Sequence, residues 1–487
     1  MRWMTRLVVF LLFITAGEST LYIVAQKKEA STQSEEKAAE TSDPQLVLDE
    51  PLETAPDEAS QSIKFGPVAP LEFYANREKI ILRENPDPGS RVVAKLTAGG
   101  YERAEIIEAT KDFLRVRFVI NDDSANDETK REKSLEGWVS WGEVQPYMSA
   151  IVLDAETGEV ISRIPLREGL TSIAFSQDNS RAIFFSGEGG TAQTAYEVQT
   201  SDYTLTRSLI SSGEEYLGNI FYGPESGSLY TTLHRAGQSH GGTDSKMSLL
   251  RIGDEGAPNE IAPVRFEKGD IFVVSPDGSA AFILRRETED ASEITVHKFE
   301  LTTQQILSSF TLNDTPLDQG LYNFAMSRDG SEFYLRQSEN MEVITVIDTR
   351  TGRPLRVIPY LFAGDGWSVF SQDDLVGDSL HVRIWEQSDD EMHANSENFW
   401  VSGSGRVPAE GGIAYVTEGD GRRFAVNEAG THLFKLNDKN QIEEKLWIER
   451  LDLIKGSEEE TGLTVFGLKA SPDGKRIILF LGIEHGC

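Results

Sequence analysis

The sequence predicts an all-β chain: a seven-bladed β-propeller that follows a small β-barrel. Three observations predict it. A turn motif, Ser-x-Asp-x-Ser or close to it, recurs seven times. A second hairpin alternates with the first along residues 148–487. Together they supply four short strands per repeat of roughly 50 residues, the signature of sheets arranged radially.

The order of elements starts with a targeting segment. Arg2 and Arg6 precede the apolar run Leu7 to Gly17, a positive region followed by a short apolar one, as in secretory signals. Cleavage after Gly17 and cleavage after Ala25 both fit residues 1–25. An uncleaved anchor over Leu7 to Ala25 is the alternative, with Glu18 a costly carboxylate in mid-span. No cysteine follows the run, which excludes lipid attachment there. Either reading places the rest of the chain outside the cytoplasm, in the periplasm, secreted or tethered to the membrane. Residues 26–63 form an acidic linker with ten acids, three lysines and no aromatic residue. Such a stretch cannot bury enough apolar surface to offset the entropy of ordering.

Residues 64–147 read as the small barrel. KIILRE, RVVAKL, YERAEIIEA, FLRVRFV and GWVSW alternate apolar with polar residues, the half-buried strand pattern. Asn85 to Ser90 and Ala98 to Gly100 are turns. Asn121 to Glu136 is too polar for a core strand and is expected as an insertion. If Val139 points inward, Trp138 points outward. An outward indole would stack on a peptide or sugar, or else cover the barrel edge or dock on the neighbouring domain. Trp138 is the one partner-binding residue the sequence offers. The order Leu82-Arg83, a Pro/Gly/Ser loop, Val92-Val93, Leu96, Gly99 and Gly137-Trp138-Val139 resembles bacterial SH3-like domains. That resemblance covers about 80 residues and implies a binding module, often for cell-wall peptide, or a spacer.

Residues 148–487 carry the repeat. The first motif reads SQDNS from Ser176, SPDGS from Ser275, SRDGS from Ser327, SQDDL from Ser371 and SPDGK from Ser471. GPESGS from Gly223 and TEGDGRR from Thr417 are degenerate copies, and successive copies lie 44 to 54 residues apart. Asp-Gly and Asp-Asn between apolar runs are hairpin turns because they tolerate positive φ. The second hairpin is clearest at Ile151 to Leu166 and Val343 to Tyr360. Weaker copies run over Ala195 to Ile210, Ser248 to Val264, Val296 to Leu312 and His432 to Ile448. Phe399 to Ala409 is the weakest copy, so the ring is expected to be least regular there. The repeat region opens on the second kind of hairpin and ends on the first. One blade must therefore combine both ends of this region, with Ile151–Leu153 beside Ile477–Phe480, which removes exposed edges. VITVIDTRTGRPLRVIP and VVSPDGSAAFIL resemble the YVTN family of propellers and are similar to lactonase-like and WD-type ones. The resemblance implies the fold and leaves function open among surface modules, binding platforms and a few enzymes.

Composition narrows the function. The chain has 487 residues, 39 % hydrophobic and 26 % charged, with a net charge of −32. Residues 148–487 carry −24 of it. That balance excludes nucleic acid, whose phosphates need a basic footprint, and confines membrane contact to the N-terminal segment. A single cysteine, Cys487, excludes a disulfide framework. His234 and His240 bracket a Gly-rich loop and read as solvent-facing. Asp389, Asp390, Glu391 and His393 would suit calcium at most, or form a solvated loop. No other cofactor or metal is expected, no catalytic residue stands out, and the turn aspartates have a local role. The sequence therefore favours an exported, non-enzymatic binding or scaffold protein of a bacterial envelope, taking a protein, peptide or cell-wall glycan. The runner-up is a lactonase-like hydrolase or quinoprotein-like oxidoreductase, which would gather titratable groups at one channel mouth. A third reading is a spacer in a larger assembly.

Overall fold

A computed structural model describes residues from 63 to 483 apart from connecting stretches, of which the longest are 122–131, 236–245, 313–323 and 449–462. Residues 1–62, with the expected targeting segment and most of the acidic linker, lie outside the described residues, as do His240, Asp389, Asp390 and Glu391.

Seven four-stranded antiparallel sheets make up the repeat region. Blade 1 runs through Leu170–Phe175, Arg181–Gly187, Thr194–Gln199 and Thr204–Ser211. Blades 2, 3 and 4 follow in the same order over residues 215–260, 271–312 and 324–359. Blade 5 spans 367–408, with the extra short strand Leu375–Val376, and blade 6 spans 413–447. Blade 7 joins Leu463–Ala470 and Arg476–Ile483 to Met148–Asp154 and Val160–Leu166. Its register sets Leu153 opposite Ile477, Val152 opposite Ile478, Ile151 opposite Leu479 and Ala150 opposite Phe480. This is the closure the hairpin order predicts. The Phe399–Ala409 copy also forms a strand pair, with Phe399 opposite Pro408.

The period of two along each strand explains why blades need neighbours. In blade 7, Ala150 and Val152 enter one apolar cluster with Ile173 and Phe184 of blade 1. Ile151 and Leu153 enter another with Phe424 and Leu433 of blade 6. Alternate side chains leave opposite faces of the sheet, so a continuous apolar run fills two junctions at once. Each of the seven junctions holds such a cluster. Full burial of one such side chain is worth roughly 1.5–3 kcal/mol. First strands touch between blades 1 and 2, 2 and 3, and 6 and 7, and Leu170–Phe175 meets Leu463–Ala470 between blades 1 and 7.

The small N-terminal unit is a five-stranded antiparallel sheet. Its strands are Lys79–Arg83, Val92–Thr97, Ala104–Ala109, Phe113–Asn121 and Glu132–Ser140, and a separate pair joins Phe73–Ala75 to Val144–Pro146. Ile80, Leu82, Ile106, Leu114, Val116, Phe118 and Val139 form its core, continuous with the cluster between blades 7 and 1.

Three features differ from expectation. Glu132–Glu136, expected as part of an insertion, extends a strand instead. Its backbone pairs with Arg117–Asn121, and Glu136 lies 2.6 Å from Arg115 and 3.3 Å from Arg117, so polar side chains satisfy the outer face. Ile63–Gly66, partly inside the segment assigned to the barrel, pairs with the outer strand of blade 1 as a fifth strand. Phe65 there caps Arg207, whose guanidinium carbon is 3.6 Å from the ring centroid. Finally, the blade 5 turn falls at Gly377–Asp378 and not at the SQDDL motif: Val376 pairs with Ser379, and Gly377 supplies φ 56°. Asp374 is thereby drawn inward, 2 % exposed and 3.0 Å from Arg383.

Candidate functional site

In each blade, the turn between first and second strands and the turn between third and fourth strands share one face of the ring. Serine and aspartate build the first kind. The Ser176 hydroxyl donates to Asp178 at 2.7 Å and accepts from the Arg181 N–H at 2.9 Å. The Ser180 N–H donates to the same carboxylate at 3.1 Å. Hydrogen bonds from Ser176 first, and then Ser180, hold Asp178 down to about 2. Ser327 with Asp329 and Ser471 with Asp473 repeat the arrangement at 2.9 and 2.6 Å. The second kind uses Asp-x-x-Thr-Gly. Asp154 accepts from the Glu156 and Thr157 N–H groups at 2.9 and 3.1 Å, and Asp348 accepts from Arg350 and Thr351 at 2.7 and 3.0 Å. These aspartates close hairpins, the local role expected of them.

The fourth residue of the first turn decides how tightly blades meet. It takes positive φ in every well-formed copy: Asn179 54°, Gly278 72°, Gly330 67° and Gly474 63°. A β-carbon on Gly330 would lie 2.8 Å from Ala280 of the preceding blade, and one on Gly474 would lie 2.4 Å from the Gly419 carbonyl oxygen. Glycine therefore lets the turn approach the preceding blade closely at those two positions. Blade 1 carries Asn179 instead, and a cleft of about 380 Å³ opens where blade 1 meets blade 7. Asn179, Gln199, Thr200, Tyr203, Lys475 and Arg476 are among its lining residues. The Asn179 Oδ1 is buried and has no hydrogen-bond donor among the described residues.

The cleft's charges are largely occupied. Arg476 Nη1 donates to Asp154 at 2.6 Å. Burial opposes ionisation of Asp473, but hydrogen bonds from Ser471 and Lys475 outweigh it and lower the pKa. Burial pushes the Tyr203 phenol up. What remains for a ligand is amide and hydroxyl chemistry beside two cations. A second cleft, of about 360 Å³, lies between blades 6 and 7. There Glu156 of the blade 7 turn accepts from Arg422 at 2.8 Å and from Lys435 at 3.0 Å, an ionic latch across the junction.

The residues singled out from sequence fall as follows. Val139 is fully buried and Trp138 lies on the opposite face, as alternation requires, yet the indole is only 9 % exposed. Arg83 and Arg115 stand opposite it on the two adjacent strands. The outward side chain is thus largely covered, which leaves little indole surface for stacking on a peptide or sugar. Leu82 is core, and Arg83 pairs with the buried Glu143 at 2.8 Å. The side chains of His234 and His393 lie outside the described set. Among the described residues, no three His, Cys, Asp or Glu side chains cluster as metal ligands.

Sequence reasoning missed one buried polar cluster. His381 of blade 5 is fully buried, with its Nδ1 3.7 Å from Asp374 and its ring 5.3 Å from Trp400. Neither ring nitrogen, nor the Trp400 Nε1, has a hydrogen-bond partner among the described residues. Burial lowers the His381 pKa, an effect that the neighbouring Asp374 partly opposes. The group is sealed, so it bears on stability and not on contact with a ligand.

No family model matches the chain, and no curated protein matches it. Solved structures similar to it include dihydro-heme d1 dehydrogenase NirN, at 14 % identity over 81 % of this chain and 80 % of that one, with a TM-score of 0.36. A putative TolB from Agrobacterium tumefaciens is 13 % identical over 70 % and 99 %, with a TM-score of 0.36. An oligogalacturonate lyase in complex with manganese is 13 % identical over 68 % and 95 %, with a TM-score of 0.40. Likeness this distant carries no argument about chemistry. The propeller assignment rests on the seven sheets and their register.

Proposed function

We propose that this is an exported, non-enzymatic binding protein of a bacterial envelope, and that the cleft between blades 1 and 7 holds a segment of peptide or cell-wall glycan. One observation carries the reading. The turn residue that is glycine in blades 3, 4 and 7 is asparagine here, and it lines the cleft beside Gln199, Thr200 and Tyr203. Carboxylate behaviour supports binding over acid–base catalysis. Asp154, Glu156, Asp178, Asp329, Asp348 and Asp473 are all displaced below the usual range. A general acid at neutral pH needs the opposite displacement.

The Ser-Asp turns and strand order support a YVTN-type propeller, and the five-stranded unit supports an SH3-like domain acting as a spacer or second contact. The apolar run before residue 26 supports export. In this reading binding needs no cofactor. The test titrates the full chain with soluble peptidoglycan fragments and with extended peptides, using calorimetry. Binding weakened at least about tenfold by Asn179→Ala with Gln199→Ala supports the reading. Unchanged binding, or turnover of either probe, sinks it.

A further inference from the structure

One turn of blade 1 departs from its counterparts. In three blades the turn between third and fourth strands closes through a hydrogen bond from its fifth residue to its first. The Gly158 N–H donates to the Asp154 carbonyl at 2.9 Å in blade 7, Gly352 to Asp348 at 2.8 Å in blade 4, and Tyr203 to Gln199 at 2.7 Å in blade 1. The three donors all have positive φ, at 74°, 66° and 57°. Glycine adopts that conformation freely, whereas an aromatic residue is strained in it and stays only where its surroundings hold it. In blade 4 even a β-carbon at this position would meet Phe310 of the preceding blade at 2.6 Å. Blade 1 instead accommodates a whole phenol. Tyr203 is 3 % exposed and enters the apolar cluster that joins blade 1, blade 7 and the five-stranded unit. The same residue lines the cleft between blades 1 and 7, within electrostatic reach of Arg476 and Asp473.

Other donors of the cleft are committed within the protein. The Ser180 hydroxyl donates to Asp178 at 2.8 Å, the Thr200 hydroxyl to the Asn179 carbonyl, and Arg476 to Asp154. Among the described residues no group accepts from the Tyr203 hydroxyl. Burial raises its pKa, so it stays protonated and remains a donor. A ring held in the core has little rotamer freedom left to lose on binding. We infer, on the reading of this cleft given above, that Tyr203 is a specificity-determining residue whose hydroxyl donates to the acetamido carbonyl of an N-acetylated glycan. Charge selects a neutral acceptor. Asp154 pairs with Arg476, Asp473 lies 3.8 Å from Lys475, and the chain carries −32, so an anionic ligand meets no uncompensated cation. The lining selects sugar over peptide. Apart from the one phenol its side chains are amides, hydroxyls and charged groups, with no aliphatic pocket to seat a residue of a peptide. Of the neutral acceptors a glycan carries, the acetamido carbonyl is the strongest, and unlike a hydroxyl it can only accept, which matches a fixed donor.

The test is calorimetry of the full chain with a tetramer of N-acetylglucosamine and with a tetramer of glucose, which differ in their acetamido groups. The wild type binds the acetylated tetramer at least about tenfold more tightly. Tyr203→Phe keeps the ring, and with it the urea midpoint, but erases that preference by weakening the acetylated tetramer at least about tenfold more than the other. A Tyr203→Phe protein that keeps the preference, or that weakens both tetramers alike as loss of a merely structural hydroxyl would, overturns the inference. The cleft reading survives that result if Asn179→Ala with Gln199→Ala still weakens binding. A wild type that takes extended peptides and neither tetramer overturns the glycan assignment and leaves the cleft to peptide. One that binds none of these probes removes the cleft reading as well.

Discussion

Between blades 3 and 4 the ring is sealed, whereas between blades 7 and 1 it is open. At the sealed junction Gly330 lies where even a β-carbon would meet Ala280 at 2.8 Å, and Phe282 meets Phe333 edge-on at 4.7 Å. At the open one Asn179 takes glycine's place, the nearest ring pair is Phe184 with Phe480 at 6.2 Å, and a polar cleft results. The same turn chemistry serves both. What differs is one side chain at a left-handed position. Where the two ends of the repeat meet, the turn carries a side chain at the position that blade 4 keeps as glycine, and a cleft lies beside it.

The contrast can be broken from either side. The largest effect comes from the strand that both chain segments share. Leu479→Asp buries an unpaired carboxylate between blades 6 and 7 and should cost more than about 4 kcal/mol, so that urea melts show no cooperative native baseline. A wild-type midpoint would mean that this strand is not in the core. Next comes the sealed junction: Phe333→Ala should cost about 3–5 kcal/mol, because three aromatic neighbours leave little room for collapse. The direct comparison is smaller. Gly330→Ala combines strain at positive φ with overpacking and should cost about 1–3 kcal/mol, while Asn179→Gly should stay within about 0.5 kcal/mol. Equal costs at the two turns would erase the distinction between them.

The smallest expected effect is a pH dependence. Burial holds the folded pKa of His381 below the ordinary histidine value of about 6.5. Its contribution is therefore complete above about pH 6.5 and is lost as pH falls below it, since only the unfolded state takes up the proton there. His432 shifts in the same direction, so the profile alone does not assign the effect. Replacing His381 with Leu should flatten the fall in urea midpoint between pH 7.5 and pH 5.5; a slope as steep as the parent's would clear His381 of the role. Loss of Asp178's contribution belongs to a separate window, below about pH 4 and down to about 2.

Much of the ring was legible because its turns need particular residues. Asn or Gly at positive φ, with a serine hydroxyl bonding around it, leaves a mark that blades 1, 3, 4 and 7 carry. Tertiary partners set the rest. Ile63–Gly66 has too few residues to show alternation and becomes a strand only because blade 1 offers an edge. Glu132–Glu136 reads as loop by polarity, yet its backbone is satisfied across the hairpin. Trp138's side of the strand followed from alternation, but its cover, with Arg83 and Arg115 opposite on adjacent strands, depends on register. The cleft was half visible. Asn179 stands out once the copies are aligned, but that its oxygen lacks a donor, and that Lys475 and Arg476 reach the same cleft, required the ring to close first.

Cross-linking tests that closure most directly. Ser149 and Leu481 stand opposite each other in the register of blade 7, although 332 residues separate them in sequence. Paired antiparallel residues have Cα atoms about 4.5–5.5 Å apart, within the range a disulfide spans. With Cys487→Ser in the background, Ser149→Cys and Leu481→Cys should oxidise to a disulfide within one chain, seen by mass spectrometry of the digested native protein, and should raise its urea midpoint. A folded, oxidised protein in which those two thiols remain free would show that the ring is not sealed there.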